Sequence, residues 1–128
     1  MTTGTEQEKD ITKTALDIAL ELIEAENNHD VGALIELHST DYKWHQPDGR
    51  VITRDELRNM AQGLFFAYPD RRQTVHDSMQ DGDKAILRWT SVSHALSDGA
   101  EYKQSAIEIF RVVDEKIVEV WSVVANPE

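Results

Sequence analysis

The chain has 128 residues, with 13 Lys and Arg against 24 Asp and Glu, and its formal net charge is −11. It has no cysteine, which excludes disulfide bonds, thiolate zinc sites and a cysteine nucleophile. The acidity argues against binding to nucleic acids or to anionic membrane surfaces. We expect a single domain over residues 1–128, with residues 1–8 disordered. Because no early stretch is apolar enough for a signal peptide or a membrane span, we expect a cytoplasmic protein.

The first part of the sequence has helical periodicity. Apolar residues recur at steps of three and four between about residues 10 and 27, which predicts one amphipathic helix. A polar stretch ends this helix, and Asp30 can cap the N-terminus of a second, short helix over residues 31–38.

A short strand and a third helix follow. Residues 42–46 have the pattern of a strand, and the turn Pro47-Asp48-Gly49 ends it. Thr53 and Glu56 have the spacing of a capping box. We therefore expect a helix that begins there and runs to about Ala67.

The second half of the sequence reads as strands separated by short turns rich in Asp and Gly. The predicted strands are 71–80, 84–95, 100–113 and 116–125. Turns this short join antiparallel neighbours, so the last three strands should form a meander. Helices at the start and strands at the end indicate an α+β protein, with its helices on one face of a bent sheet.

Both faces of the long strands carry apolar side chains. On the strand 100–113, Ile107 and Ile109 alternate with Ala106 and Phe110. Three helices can cover only one face of such a sheet. We therefore expect a homodimer in which a second copy covers the other face.

Four phrases and their order resemble a known family. They are Tyr68-Pro69-Asp70, Ala85–Trp89, Ile107–Val112 and Lys116–Trp121. Together they resemble the SnoaL-like polyketide cyclases of the NTF2-like superfamily, whose relatives include ketosteroid isomerase and limonene-epoxide hydrolase. The resemblance implies a cone in which a strongly bent, antiparallel or mixed sheet is wrapped by three N-terminal helices around a deep, mostly apolar pocket.

Glu108 is the first candidate site residue that the resemblance implies. It matches the position where the isomerases carry the carboxylic acid that donates a hydrogen bond to the developing oxyanion. Burial in an apolar pocket raises the pKa of a carboxyl, which then serves as a general acid or a donor near neutral pH. A glutamate between Ala106 and Phe110 on one face of a strand is also uncommon outside a site. The alternative is a surface glutamate whose carboxylate reaches solvent.

Arg88 is the second candidate. The epoxide hydrolases carry a pocket arginine beside a carboxylate on this strand, but the residue two positions on is Thr90 here, which speaks against epoxide hydrolysis. We expect Arg88 to pair with Glu108 across the sheet and to adjust its acidity. The alternative is a purely structural role for Arg88.

Two further positions depart from the family pattern. Gln46 stands where the isomerases carry their proton-abstracting aspartate, and Ser122 stands where the cyclases carry a catalytic aspartate. Neither side chain is a general base by itself, so we expect both to orient the substrate. If the strand slipped by one residue, His45 would enter the pocket in place of Gln46 and act as the base.

The remaining expectations concern the pocket and its ligands. The five histidines have no metal-binding spacing and no phosphate-binding loop occurs, so we expect neither a metal nor another cofactor. The expected ligand is a small hydrophobic molecule. The expected wall of its pocket consists of Leu22, Trp44, Met60, Phe65, Thr90, Phe110 and Val120.

The resemblance implies a small-molecule enzyme of the cyclase or isomerase type, which transfers a proton on an apolar carbonyl substrate without a cofactor. Two alternatives remain open. One is a domain that binds a hydrophobic ligand without catalysis. The other is a dimeric interaction domain like the nuclear transport factors of the same fold.

Overall fold

The structure is a computed structural model that describes residues 12–126. The helices of this part of the chain are α1 (Ala15–Asn27), α2 (Val31–Glu36) and α3 (Arg54–Ala67). Its strands are β1 (His38–His45), β2 (Val51–Thr53), β3 (Arg72–Asp81), β4 (Lys84–His94), β5 (Glu101–Val113) and β6 (Lys116–Ala125). The expected disorder of residues 1–8 lies outside the described residues.

The strands form one mixed sheet in the order β2-β1-β6-β5-β4-β3. Only β1 and β6 pair in parallel, and every other neighbouring pair is antiparallel. The predicted meander of the last three strands is therefore confirmed. With three helices on one face of this open sheet, the α+β cone is confirmed as well.

Local hydrogen bonds explain where the helices begin. Thr14 caps α1 in a capping box with Asp17, and Thr53 caps α3 in the predicted box with Glu56. The side chain of Asp30 accepts from the backbone of α2, as predicted.

The structure differs from the prediction at two helix boundaries and in one additional strand. Residues 12–14 are not helical, so α1 begins at Ala15 rather than near residue 10. Helix α2 ends at Glu36, because His38 already belongs to β1. The strand Val51–Thr53 was not predicted, since three residues carry too little alternation to reveal a strand.

The core lies between α1 and the face of the sheet that is turned to the helices, called the inner face here. Alternate residues of β4 and β5 point to this face, among them Leu87 and Phe110, which are almost fully buried. Ile18 of α1 and Leu34 of α2 are buried against them. No helix between residues 12 and 126 lies over the opposite, outer face, which includes the exposed side chains of Ile107 and others.

None of the helices between residues 12 and 126 is long and apolar enough to cross a membrane.

Candidate functional site

A cavity of about 500 Å³ lies between the inner face of the sheet and the helices. A much smaller recess of about 40 Å³ continues it toward the core. The two share part of their walls, namely Glu26, Leu34, Trp44, Leu57 and Glu108. The walls are mostly apolar with a few polar groups, which is the usual composition of a small-molecule site.

Most of the side chains expected in the pocket wall lie there. Those that line the cavity or its recess are Leu22, Trp44, Met60, Phe65, Phe110 and Val120. The expectation for Thr90 is wrong. On β4 the residues that point inward are the odd-numbered ones from 85 to 93, so Thr90 points to the outer face. There its hydroxyl hydrogen-bonds to Nε2 of His76 at 2.8 Å.

Glu108 is on the inner face of β5 and lines the cavity, with only 9% of its surface exposed. One carboxylate oxygen accepts a hydrogen bond of 2.7 Å from Nε1 of Trp89. Burial raises the pKa of Glu108 to about 7, and the Trp89 hydrogen bond and the positive charge of Arg71 oppose this rise. At neutral pH the carboxyl is therefore available in both its acidic and its basic form.

The expected pairing of Arg88 with Glu108 is wrong. Glu108 faces Leu87 and Ser122 in the sheet register, whereas Arg88 faces Ile107, whose side chain is on the outer face. Arg88 is exposed there, and its Nε donates to Asp77 at 2.6 Å. The register between β4 and β5, together with alternation along each strand, therefore puts Arg88 and Glu108 on opposite faces.

Ser122 is buried on the inner face, next to Glu108 in the sheet register. Its hydroxyl accepts a hydrogen bond of 2.6 Å from Nε1 of Trp44, and Ser122 does not line the cavity or its recess. The structure thus places Ser122 against Trp44 and not in the cavity wall, where contact with a substrate was expected.

Gln46 also lies away from the cavity. It directly follows β1, where its backbone closes the turn by a bond of 2.8 Å from its N–H to the carbonyl of Arg50. Its side-chain nitrogen is buried and has no hydrogen-bond partner among residues 12–126. Gln46 lines a shallow depression of the outer face, together with Ile107 and Trp121. The expectation that it orients a substrate in the pocket is therefore wrong.

The slipped register that would bring His45 into the pocket does not occur. His45 is on the outer face, where its Nε2 hydrogen-bonds to Glu119 at 2.8 Å and its ring stacks on Trp121. The histidine that does line the recess is His38, which contacts the carbonyl of Leu34 at 2.7 Å. Burial lowers the pKa of His38 to about 4, so its ring is neutral at physiological pH.

Sequence reasoning missed a second cavity carboxyl, Glu26 in the last turn of α1. Burial and then the negative charge of Glu108 raise the pKa of Glu26 to about 7, while Arg71 and the side chain of Gln73 oppose the rise. One signal was present in the sequence. Glu26 follows Leu22 by four residues, so it continues the face of α1 that contacts the core.

Arg71, just before β3, was missed as well. It is 5% exposed and lines the cavity, with its guanidinium carbon 5.6 Å from the centre of the Trp89 ring. Its Nη2 donates to Oε1 of Gln104 at 3.3 Å, whereas its Nε has no partner among the described residues. The sequence around Arg71 has only weak alternation, so no signal distinguished it from a surface arginine.

Between residues 12 and 126, no group of three or more His, Asp and Glu side chains is close enough to hold a metal ion. The polar side chains that line the cavity are instead two carboxyls, one guanidinium, three amides and one tyrosine. Such a set can bind the polar end of a small molecule and exchange protons with it.

Comparisons with solved structures agree with this architecture. AclR of Streptomyces galilaeus, a proposed hydroxylase, has a TM-score of 0.79 and 24% identity over 86% of this chain and 77% of its own. IdmH of Streptomyces antibioticus, a proposed polyketide cyclase, has a TM-score of 0.78 and 25% identity over 88% of this chain and 92% of its own. An NTF2-like protein of unknown function from Burkholderia pseudomallei has a TM-score of 0.74 and 15% identity, over 89% of this chain and 92% of its own.

No curated protein sequence matches this chain significantly. The profile of the SnoaL-like domain does match it, over residues 19–120. This range runs from the middle of α1 to the middle of β6 and so includes the cavity walls described above. The chain therefore belongs to the SnoaL-like domain family, and its fold is that of the NTF2-like superfamily.

Proposed function

We propose that this protein is an enzyme that binds a small, mostly apolar carbonyl compound in its cavity and transfers a proton on it through Glu108. The observation that carries the proposal is the burial of Glu108 in the wall of a largely apolar cavity of about 500 Å³. A general acid or base works best when its pKa is close to the working pH, and burial brings the pKa of Glu108 to about 7.

The surroundings of Glu108 suit this chemistry. The Trp89 N–H fixes one of its oxygens at 2.7 Å, so the carboxyl is held in one orientation. Apolar side chains, among them Leu57, Leu64 and Phe65, line the rest of the space and would bind the carbon skeleton of the substrate. The likeness to IdmH, a proposed polyketide cyclase, supports the same class of reaction.

A non-catalytic domain that binds a hydrophobic ligand is the second candidate. It is favoured by the positions where the family carries catalytic aspartates, which hold Gln46 and Ser122 here. Neither of these residues lines the cavity, so Glu108 would have to act without them.

A ketone whose α-protons exchange slowly in water distinguishes the two candidates. We expect the protein to accelerate exchange of the α-protons of 2-tetralone in D2O, followed by proton NMR. The Glu108→Gln variant should lose roughly 100-fold to 10,000-fold of this acceleration, which is the usual contribution of a general base. The matched control is Glu101→Gln on the same strand, where the side chain is exposed.

Equal acceleration by the parent and Glu108→Gln would contradict the enzyme proposal. Saturable binding of 2-tetralone without any accelerated exchange would favour the binding domain instead.

A further inference from the structure

Two glutamates from distant parts of the chain line the same small space. Glu26 comes from the end of α1 and Glu108 from the middle of β5, and both line the main cavity and its recess. Among the described residues, neither carboxylate forms an ion pair within 4.0 Å with a basic side chain. The two charges therefore act on each other across a site of low polarity, where such repulsion is strong.

The position of Glu26 is held by the residues that follow it. The side chain of Asn27 bonds to the backbone of Gln73 twice, donating to its carbonyl at 3.1 Å and accepting from its N–H at 2.7 Å. His29 contacts the carbonyl of Arg71 at 3.2 Å and stacks on Phe65 with ring centres 4.5 Å apart. These contacts join the end of α1 to the start of β3, so Glu26 cannot easily move away from the cavity.

Within residues 12–126, the other charged and titratable side chains that line the cavity or its recess are Arg71, Tyr42, His38 and Tyr68. Arg71 supplies a positive charge that opposes the rise in the pKa of both glutamates. Tyr42 of β1 stays neutral, because burial and then the two glutamates raise its pKa. His38 of β1 is neutral for the reason given above. The charges of one carboxylate and of Arg71 cancel. The net charge of the site is therefore zero when the second carboxyl keeps its proton.

Two buried polar atoms next to the pair have no partner among residues 12–126, namely Nε of Arg71 and Oε1 of Gln73. Both side chains are 5% exposed, and both residues line the cavity. Buried polar groups are normally hydrogen-bonded. Their lack of partners here indicates that this end of the cavity accepts a polar group from a bound molecule.

We propose that Glu26 is a second catalytic residue, and that Glu26 and Glu108 form one acid–base pair that holds a single proton at neutral pH. This inference rests on the proposed function and adds to it the residue that acts on the carbonyl oxygen. Glu108 is the carboxylate of the pair, because the Trp89 N–H stabilises its charged form. Glu26 is the carboxylic acid.

The two residues then catalyse enolisation in one balanced step. Glu108 accepts a proton from the carbon next to the carbonyl group, and the electron pair of that C–H bond becomes the C=C bond of the enol. At the same time the π bond of the carbonyl group breaks and its electron pair moves onto the oxygen. There it forms an O–H bond with the proton that Glu26 releases, so Glu26 becomes a carboxylate. One proton leaves the substrate and one enters it, so the pair still holds one proton afterwards, now on Glu108.

Carbon-13 NMR of the side-chain carboxyl carbons tests the pair in the protein without ligand, whether or not any substrate is turned over. We expect the signals of Glu26 and Glu108 to titrate in two steps in the parent, because each group responds to the charge of the other. In Glu26→Gln and in Glu108→Gln, the remaining glutamate should titrate in a single step. Independent single-step titrations of both groups in the parent would overturn the pair.

The exchange of 2-tetralone protons tests the catalytic role of Glu26. In the parent, the pH dependence of kcat/KM should be bell-shaped, because one carboxyl must be ionised and the other protonated. The Glu26→Gln variant should lose roughly 100-fold in kcat/KM and also the fall in rate at high pH, since no acid remains to be deprotonated. Its matched control is Glu24→Gln on the exposed side of α1, which should keep the rate and the bell shape.

An unchanged rate and pH profile in Glu26→Gln would overturn the acid role of Glu26, even if Glu108→Gln is inactive and the function proposed above stands. If the parent protein exchanges no protons, that function fails. The NMR titration then decides separately whether the two carboxyls form a pair.

Discussion

At the scale of single residues, the cost of ionising a buried carboxyl should be visible in the stability of the protein. Glu108 has a pKa of about 7 in the folded chain, against an ordinary value of 4.5. Between these pH values the unfolded chain releases a proton that the folded chain retains. The stability of the parent therefore falls as pH rises through this window, and Glu108 contributes about 3 kcal/mol to that fall.

The Glu108→Gln variant should escape this loss. The free energy of unfolding of the variant minus that of the parent should be about 3 kcal/mol larger at pH 8 than at pH 5, so the variant gains stability relative to the parent as pH rises. Urea unfolding at the two pH values measures the difference, and Glu101→Gln on the same strand should show no such pH dependence. If the free energy of unfolding differed between Glu108→Gln and the parent by the same amount at both pH values, the carboxyl would not be buried in the folded protein.

Arg71 and Arg88 should differ sharply in their energetic coupling to Glu108. Arg71 lines the cavity with Glu108, whereas Arg88 is on the outer face in an exposed ion pair with Asp77. A double-mutant cycle of Arg71→Met with Glu108→Leu at pH 8 should give a coupling of about 0.5–3 kcal/mol. The cycle of Arg88→Met with Glu108→Leu should be additive. Coupling to Arg88 instead would contradict the placement of these side chains.

At the scale of elements, the position of the end of α1 depends on its contacts with the start of β3. Asn27→Ala removes two hydrogen bonds to the backbone of Gln73, one of which leaves a part-buried N–H without its acceptor. We expect it to destabilise the fold by about 1–3 kcal/mol. The pKa of Glu26 should also fall toward its ordinary value, because a loosened helix end lets water reach the carboxyl.

Asn28→Ala is the matched control for Asn27→Ala. Asn28 is exposed and caps α1 through its backbone N–H, which the substitution keeps. Urea unfolding and the carbon-13 titration of Glu26 measure both effects. If the two alanine variants behaved alike, the contacts with β3 would not position Glu26.

The same scale shows which parts of the fold local chemistry determines. The capping boxes at Thr14 and Thr53 involve residues three positions apart, so they form in the helix itself. The predicted start of α3 was correct for this reason, and its predicted end at Ala67 was correct as well. The start of β1 at His38 was not predicted, since its partner Ile117 lies far away in the sequence.

At the scale of the whole molecule, we propose that the outer face of the sheet is covered by a second copy of the chain. Side chains in register across four strands form an apolar row on this face, consisting of Met79, Ile86, Ile109 and Trp121. Ile107 and Val123, next to this row, are 54% and 64% exposed. The charges on the face neutralise each other in pairs, Arg88 with Asp77 and Arg111 with Glu119. Two copies that each carry a net charge of −11 can therefore meet here with little repulsion.

If the protein is a dimer, light scattering at micromolar concentration should give the mass of two chains. Ile107→Lys should shift the protein toward the mass of one chain, because it places a charge in the middle of the apolar face. Leu96→Lys is the control, since Leu96 is exposed in the turn between β4 and β5, away from that face. A single-chain mass for the parent would contradict the proposal.

The sequence by itself determined the family, the order of most elements and the place of Glu108 in the cavity wall. The order of the elements depends on periodicity and on residues close together in the chain, whereas the family and the place of Glu108 followed from the resemblance to the SnoaL-like cyclases. Only the tertiary structure placed Glu26 and Arg71 beside Glu108, because α1 and the start of β3 meet β5 through contacts between distant segments. The predicted pairing of Arg88 with Glu108 was wrong for a related reason. A sequence shows which residues share a face of one strand, whereas the register between strands decides which of those faces is the inner one.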